Sequence, residues 1–179
     1  MAGIDESLPF QPLRIAVLTV SDSRSLDDDR SGDLLVDRLI QAGHDLADRR
    51  LVKDDPEQIA GQLTGWINNP GIEVVISTGG TGVTGRDITP EALERVAEKM
   101  IPGFGEMFRM VSFQKIGTSA LQSRATAGVA KGTYLFALPG STGACKDGWD
   151  EILNAQLDSR HRPCNFAELI PRLREHEAS

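Results

Sequence analysis

The chain has 179 residues, 40% of them hydrophobic and 25% charged, which is the make-up of an ordinary folded domain with a proper core. Its net charge of −7 argues against nonspecific nucleic-acid binding, which relies on a basic surface to displace counterions. No apolar run approaches the roughly 20 residues of a membrane span, so membrane and nucleic-acid partners are both set aside.

The start of the chain carries two acids and no base before Arg14, and no signal peptide is visible. Cys145 and Cys164 have no C-x-x-C partner and read as reduced thiols of a cytoplasmic protein, with a disulfide the weaker alternative. His44, His161 and His176 lack metal-ligand spacing, so a zinc site is not expected.

Residues 1–12 hold two prolines and little periodicity, and read as a flexible arm. Residues 13–20 are almost continuously apolar, the pattern of a strand buried on both faces of a parallel sheet. Ser21, Asp22, Ser23 and Arg24 follow at its carboxyl end, where open α/β sheets bind ligands. The same polar residues would also satisfy the loop's own backbone, and both readings stand. Asp27, Asp28 and Asp29 read as solvated loop.

Ser31 is the expected N-cap of a helix carrying Leu34, Leu35, Leu39 and Ile40, with Gly43 ending it. Residues 46–53 form a more exposed second strand. Asp55, Pro56 and Gln58 make a capping-box arrangement, which accounts for Asp55. It does not account for Asp54, whose carboxylate is free for metal or substrate at the end of that strand. Ile59, Leu63, Trp66 and Ile67 line the helix that follows, and residues 68–71 stop it.

A third strand at 72–76 leads into the segment around which the chain is organised. Residues 77–90 read Ser-Thr-Gly-Gly-Thr-Gly-Val-Thr-Gly-Arg-Asp-Ile-Thr-Pro. Glycine lets a ligand approach backbone N–H groups closely, and a helix beginning at Thr89, the expected N-cap, adds partial positive charge. A phosphate is the natural guest. Gly80-Thr81-Gly82-Val83-Thr84-Gly85 has the dinucleotide spacing but follows the third strand rather than the first. The P-loop spacing fails at Arg86 and Asp87, which stand where Lys and Ser or Thr are required. The loop is therefore expected to cradle phosphate in a third way, with a tight turn that holds no ligand as the less favoured alternative.

Leu93, Val96, Ala97 and Met100 give the next helix its apolar stripe, broken at residues 101–103. Phe104, Met107, Phe108, Val111 and Ile116 mark another helix whose stripe serves core or subunit interface. Residues 118–123 form a short helix, and 125–130 with 133–138 a hairpin that adds an antiparallel strand. Pro139, Gly140, Ser141 and Thr142 repeat the strand–loop–helix theme, as simple cap or second anion loop. A helix follows through Trp149, Ile152 and Leu157. Phe166 anchors the exit at 160–166, one domain spans 13–170, and 171–179 is a fraying tail.

The element order predicts a three-layer α/β/α sandwich, its sheet mostly parallel with one antiparallel strand. The loops at 21–25, Asp54, 78–87 and 139–142 should line one edge of that sheet. They bring glycine N–H groups, three cations (Arg24, Arg86, Lys146) and two unexplained carboxylates, Asp54 and Asp87. Phosphoryl or nucleotidyl transfer needs oriented phosphates, positive charge and usually Mg²⁺ held by carboxylates; the inventory fits that, and it also fits plain binding of a phosphometabolite.

Four further segments carry a resemblance. Thr78-Gly79-Gly80-Thr81-Gly82, Arg86-Asp87-Ile88-Thr89-Pro90-Glu91-Ala92, Pro102-Gly103-Phe104-Gly105-Glu106 and Leu138-Pro139-Gly140-Ser141 resemble, in that order, the MoaB/MogA family of molybdenum cofactor biosynthesis. The segments 117–125 and 162–166 look like its MoaB branch. The resemblance implies the molybdopterin-binding fold and adenylylation of molybdopterin by Mg-ATP, with pyrophosphate released. It implies phosphate held by Gly79, Gly80, Thr81 and Gly82, with Thr78 and Arg86 among the cofactor-binding residues. Asp54 and Asp87 match the family's catalytic, metal-holding aspartates. Ser21, Asp22, Pro139, Gly140 and Ser141 would lie near pterin or nucleotide. It also implies a homotrimer or homohexamer. Two rivals stand beside this: a non-catalytic molybdopterin-binding carrier of the MoaB type, and an NAD-dependent enzyme working through residues 80–85.

Overall fold

The protein is described by a computed structural model over residues 2–175. Its strands are β1 (Gly3–Ile4), β2 (Arg14–Val20), β3 (Asp45–Val52), β4 (Val74–Thr78), β5 (Lys99–Met100), β6 (Thr126–Ala130), β7 (Thr133–Leu138) and β8 (His161–Arg162). Its principal helices are α1 (Arg30–Gln41), α2 (Pro56–Ile67), α3 (Thr89–Val96), α4 (Pro102–Ile116) and α5 (Thr142–Gly148). Six strands make one sheet in the order β3-β2-β4-β7-β6-β5. β3, β2, β4 and β7 pair in parallel, while β6 runs against both its neighbours.

The alternation of side chains along β2, β4 and β7 divides the core between two faces. Ile15, Val17, Val74, Ile76, Tyr134 and Phe136 pack with Leu35, Leu39, Phe104, Phe108 and Trp149, under α1, α4 and the segment following α5. Ala16, Leu18, Val75, Leu135 and Ala137 pack with Ile59, Leu63, Trp66 and Leu93, under α2 and α3. This is the expected α/β/α sandwich. The sheet closes its hairpin through Lys131 and Gly132, both at positive φ, the turn that suits the twist of paired strands.

Several local expectations are corrected. Asp29, not Ser31, caps α1 by accepting the Gly32 N–H, and it is fully buried rather than solvated. Thr89 does not cap α3: its hydroxyl donates to the Gly79 carbonyl at 2.8 Å, and Ile88 takes the cap position. Met100 is not helical. α3 ends at Val96, and Lys99–Met100 joins the free edge of β6 opposite Val129 and Gly128. Gly128 permits this approach, since a Cβ there would lie 2.8 Å from that of Ala97.

The arm expected to be flexible lies against the body. Gly3–Ile4 pairs with His161–Arg162, and the Phe10 ring meets His44 at 5.2 Å with the Arg160 guanidinium 5.1 Å away on it. Phe166 anchors the exit as expected, 4.9 Å from Tyr134. Of the tail expected to fray at 171–179, Pro171 and Arg172 belong to a 3-10 helix (Ala167–Arg172) and Arg172 pairs with Glu175 at 3.1 Å, while residues 176–179, with His176, lie outside the described residues.

Candidate functional site

The loops after β2, β3, β4 and β7 meet around a cleft of about 450 Å³. Its lining includes Ser21, Ser23, Arg24, Asp54, residues 79–82, Asp87 and residues 139–141. Two glycines make the convergence possible. Gly79 has φ +105°, and a Cβ on it would sit 2.2 Å from the Val20 carbonyl oxygen at the end of β2. Gly80 has φ +64°, and a Cβ there would lie 2.4 Å from the Thr89 hydroxyl and 3.3 Å from an Asp54 carboxylate oxygen. The left-handed backbone and the lack of room both require glycine. The floor of the cleft is consequently main chain.

The loop N–H groups are not equivalent. That of Gly79 extends the sheet by donating to the Leu138 carbonyl at 3.0 Å. The N–H groups of Gly80 and Thr81 have no partner among the described residues. The Thr81 hydroxyl oxygen is buried and also unpartnered. A buried polar atom without a partner carries a desolvation cost that a bound anion or hydroxyl would relieve.

Asp54 and Asp87 both reach this loop: a Cβ on Gly80 would lie 3.3 Å from an Asp54 carboxylate oxygen, and one on Gly82 2.7 Å from Asp87 Oδ2. The Asp54 N–H donates to the Asp22 carboxylate at 3.3 Å. Burial, then the nearby Asp87 charge, push the Asp54 carboxyl above its ordinary range. Burial works on Asp87 in the same direction, but hydrogen bonds from the Thr84 hydroxyl and N–H and from the Gly82 N–H, with the Arg124 charge, hold it below its ordinary range. Its Oδ2 accepts from Thr84 N at 2.8 Å and Thr84 Oγ1 at 2.7 Å. Two mutually repelling carboxylates beside unpartnered phosphate-type donors fit Mg²⁺, which takes one or two carboxylates and completes its shell with water and substrate phosphates. Among the described residues no group of three His, Cys, Asp or Glu could hold a metal alone.

The cations divide. Arg24 lines the cleft, donating to Ser31 Oγ at 2.8 Å and to the Gly140 carbonyl at 3.1 Å. Arg86 stands at the rim, exposed and paired with Asp22. Lys146 does not reach the cleft: its ammonium bonds Asp150 one helical turn away at 2.8 Å. Thr78 lies beneath the floor, its hydroxyl donating to the Pro139 carbonyl at 3.0 Å beside the Cys145 sulfur. Burial pushes the Cys145 thiol up to about 11, so it is an inert packing group. Ser21 accepts from the N–H groups of Ser23 and Arg24, and Ser141 caps α5 by accepting from Ala144 N at 3.2 Å.

Two supports escape a reading of the sequence. Asp29 takes the Thr19 hydroxyl at 2.5 Å and Arg49 at 3.1 Å, and stands 4.0 Å from Arg24. The signals are a Thr inside an apolar strand and an Arg in the neighbouring one, which mean little until the strands are paired. Arg124 donates from Nε to the Gly82 carbonyl at 2.6 Å and from Nη2 to the Asp87 carbonyl at 2.5 Å. Its Nη1 bonds the Glu91 carboxylate, and its own N–H bonds the Thr81 carbonyl at 2.8 Å. Nothing periodic marks it in the sequence.

Comparison with known proteins fits this arrangement. Residues 16–159 match the family model described as "Probable molybdopterin binding domain". The molybdenum cofactor biosynthesis protein B of Escherichia coli K12 is 51% identical over 160 residues, 89% of this chain and 94% of that protein. A crystal structure of a molybdenum cofactor biosynthesis protein B superposes with a TM-score of 0.83 at 35% identity, covering 92% of this chain and 98% of the other. The tungsten cofactor synthesizing protein MoaB of Pyrococcus furiosus gives 0.71 at 30% identity, covering 94% and 99%. The chain therefore belongs to the MoaB/MogA family of molybdenum cofactor biosynthesis.

Proposed function

We propose that the protein is a molybdopterin adenylyltransferase, moving the adenylyl group of Mg-ATP onto molybdopterin. An acceptor oxygen of molybdopterin attacks the α-phosphorus of ATP, the bond from that phosphorus to the bridging oxygen breaks, and pyrophosphate leaves. The unpartnered N–H groups of Gly80 and Thr81, with the Thr81 hydroxyl, bind phosphate oxygens, and Arg24 and Arg86 supply positive charge. Asp54 and Asp87 would hold Mg²⁺, which neutralises charge on the phosphates. Ser21, Asp22, Pro139, Gly140 and Ser141 orient pterin and nucleotide at the rim. Such a reaction asks the protein for positioning and electrostatics rather than a nucleophile.

The observation that carries this reading is the convergence of Asp54 and Asp87 on one glycine loop in which the N–H groups of Gly80 and Thr81 and the Thr81 hydroxyl lack partners among the described residues. The test is pyrophosphate release from ATP in the presence of molybdopterin and Mg²⁺, comparing wild type with Asp87→Ala. A loss of about 10³-fold is expected; equal turnover in both removes the assigned role. A second reading, a molybdopterin carrier without turnover, draws on Asp87 being already bonded to Thr84. Tight pterin binding with no pyrophosphate release would select it.

The working form we propose is a homotrimer or homohexamer in the cytoplasm. Met110, Phe113, Ile116 and Leu121 form an exposed apolar face on α4 and the turn after it, of the kind a partner subunit covers. The free Cys145 and Cys164 suit a reducing compartment.

A further inference from the structure

We infer that Arg124 is a positioning residue for the reaction, holding Asp87 and the glycine loop in working geometry. The inference rests on the adenylyltransferase reading for its consequence in catalysis, and on hydrogen-bond geometry for its physical basis. The loop from Gly79 to Ile88 is not a helix or strand, so its carbonyl groups must find partners elsewhere. Four are satisfied by the loop itself or the first turn of α3: Gly79 by the Thr89 hydroxyl, Gly80 by the Thr89 N–H, Thr84 by the Asp87 N–H and Ile88 by the Ala92 N–H. Three more, on Thr81, Gly82 and Asp87, are satisfied by one residue, Arg124, through its N–H, Nε and Nη2. The remaining arm of the guanidinium is tied to Glu91 in the first turn of α3.

This arrangement pins both ends of the segment 82–87 to one planar group. Asp87 reaches its place only if that segment keeps its shape, because its carboxylate lies against Gly82 and is bonded to Thr84. Arg124 is itself held. Arg109 of α4 donates to the Ala125 carbonyl at 3.3 Å and the Ser123 carbonyl at 3.5 Å, on either side of it. The fork is what the position demands: Nε, Nη1 and Nη2 point to three separate acceptors. A lysine ammonium at the end of a flexible stem cannot reproduce that spread.

The test compares wild type with Arg124→Gln and Arg124→Lys in three measurements. Amide hydrogen exchange on the free protein should show residues 82–87 losing protection in both variants, at least tenfold, while β2, β4 and β7 keep theirs. Steady-state kinetics should show kcat lowered about 10²-fold in Arg124→Gln, with KM for ATP within about threefold of wild type. Arg124→Lys should recover little of kcat. Thermal unfolding checks that both variants are folded. Unchanged exchange in residues 82–87 overturns the inference whatever the activity. So does an active wild type whose kcat survives Arg124→Gln, or a loss confined to KM. A wild type that releases no pyrophosphate removes the adenylyltransferase reading, and the exchange measurement then decides alone whether Arg124 holds the loop.

Discussion

Asp54 carries its charge where burial and the neighbouring Asp87 both disfavour it. A carboxyl with a raised pKa in the folded state is most at home protonated. Its contribution to stability is present below the unfolded pKa and is lost as pH rises through the folded one. Asp54→Asn should therefore raise the melting temperature at pH 7, and the gain should vanish below about pH 4, where the wild-type carboxyl is protonated in both states. The same variant should lower the proposed adenylyl transfer by about 10²-fold or more. Calorimetry across pH, with pyrophosphate release beside it, checks the pair. A function-for-stability exchange of this kind is typical of a working site. At this scale the sequence was legible where a residue lacked a structural excuse: Asp55 had a cap to make and Asp54 did not. It was illegible where the partner is distant, as with Asp29 and Arg124. Their roles exist only once Thr19 and Arg49, or Gly82 and Asp87, come together in space.

At the scale of elements, the central strands were readable because burial on both faces leaves an unbroken apolar run. The Lys131-Gly132 turn gave away the hairpin. The short edge strand β5 was not readable, since two residues carry no period and the segment continues a helical stripe. Its place is decided by the unpaired edge of β6 and by the absence of a side chain at Gly128. The hidden joint of this layer is Asp29, which ties the start of α1 to β2 through Thr19 and to β3 through Arg49. Burial works to raise its pKa, but the bonds from Thr19, Gly32 and Arg49 hold it below the ordinary range. A depressed carboxylate contributes stability above its unfolded pKa and loses it as pH falls through the folded value. Asp29→Asn should cost about 3 kcal/mol at pH 7, because Arg49 and Thr19 are left facing a neutral group. The difference from wild type should shrink on acidification below about pH 4. Denaturant titrations at pH 7 and pH 3 measure both numbers.

For the whole molecule, the apolar face of α4 stands out. Met110 is 66% exposed, Phe113 60% and Leu121 79%, on a protein whose other large apolar side chains are mostly buried. Phe113→Asp should convert the proposed homo-oligomer to monomers without unfolding them, as read by light scattering on a sizing column. An unchanged mass would remove the proposed role of this face. Arg109 joins the two regions: it lines a separate surface pocket with Met110, Phe113 and Leu121, and it donates to the carbonyls flanking Arg124. The proposed assembly and the proposed turnover should then decline together on dilution.

The main-chain floor of the cleft has one more consequence. Where Gly79 meets Val20, an added carbon would collide with backbone, which cannot step aside as a side-chain tip can. Point substitutions can retune the rim, but at Gly79 they have no such freedom. An inhibitor that drew its affinity from the Gly80 and Thr81 amides would contact atoms common to every amino acid, and escape by mutation would have to begin elsewhere.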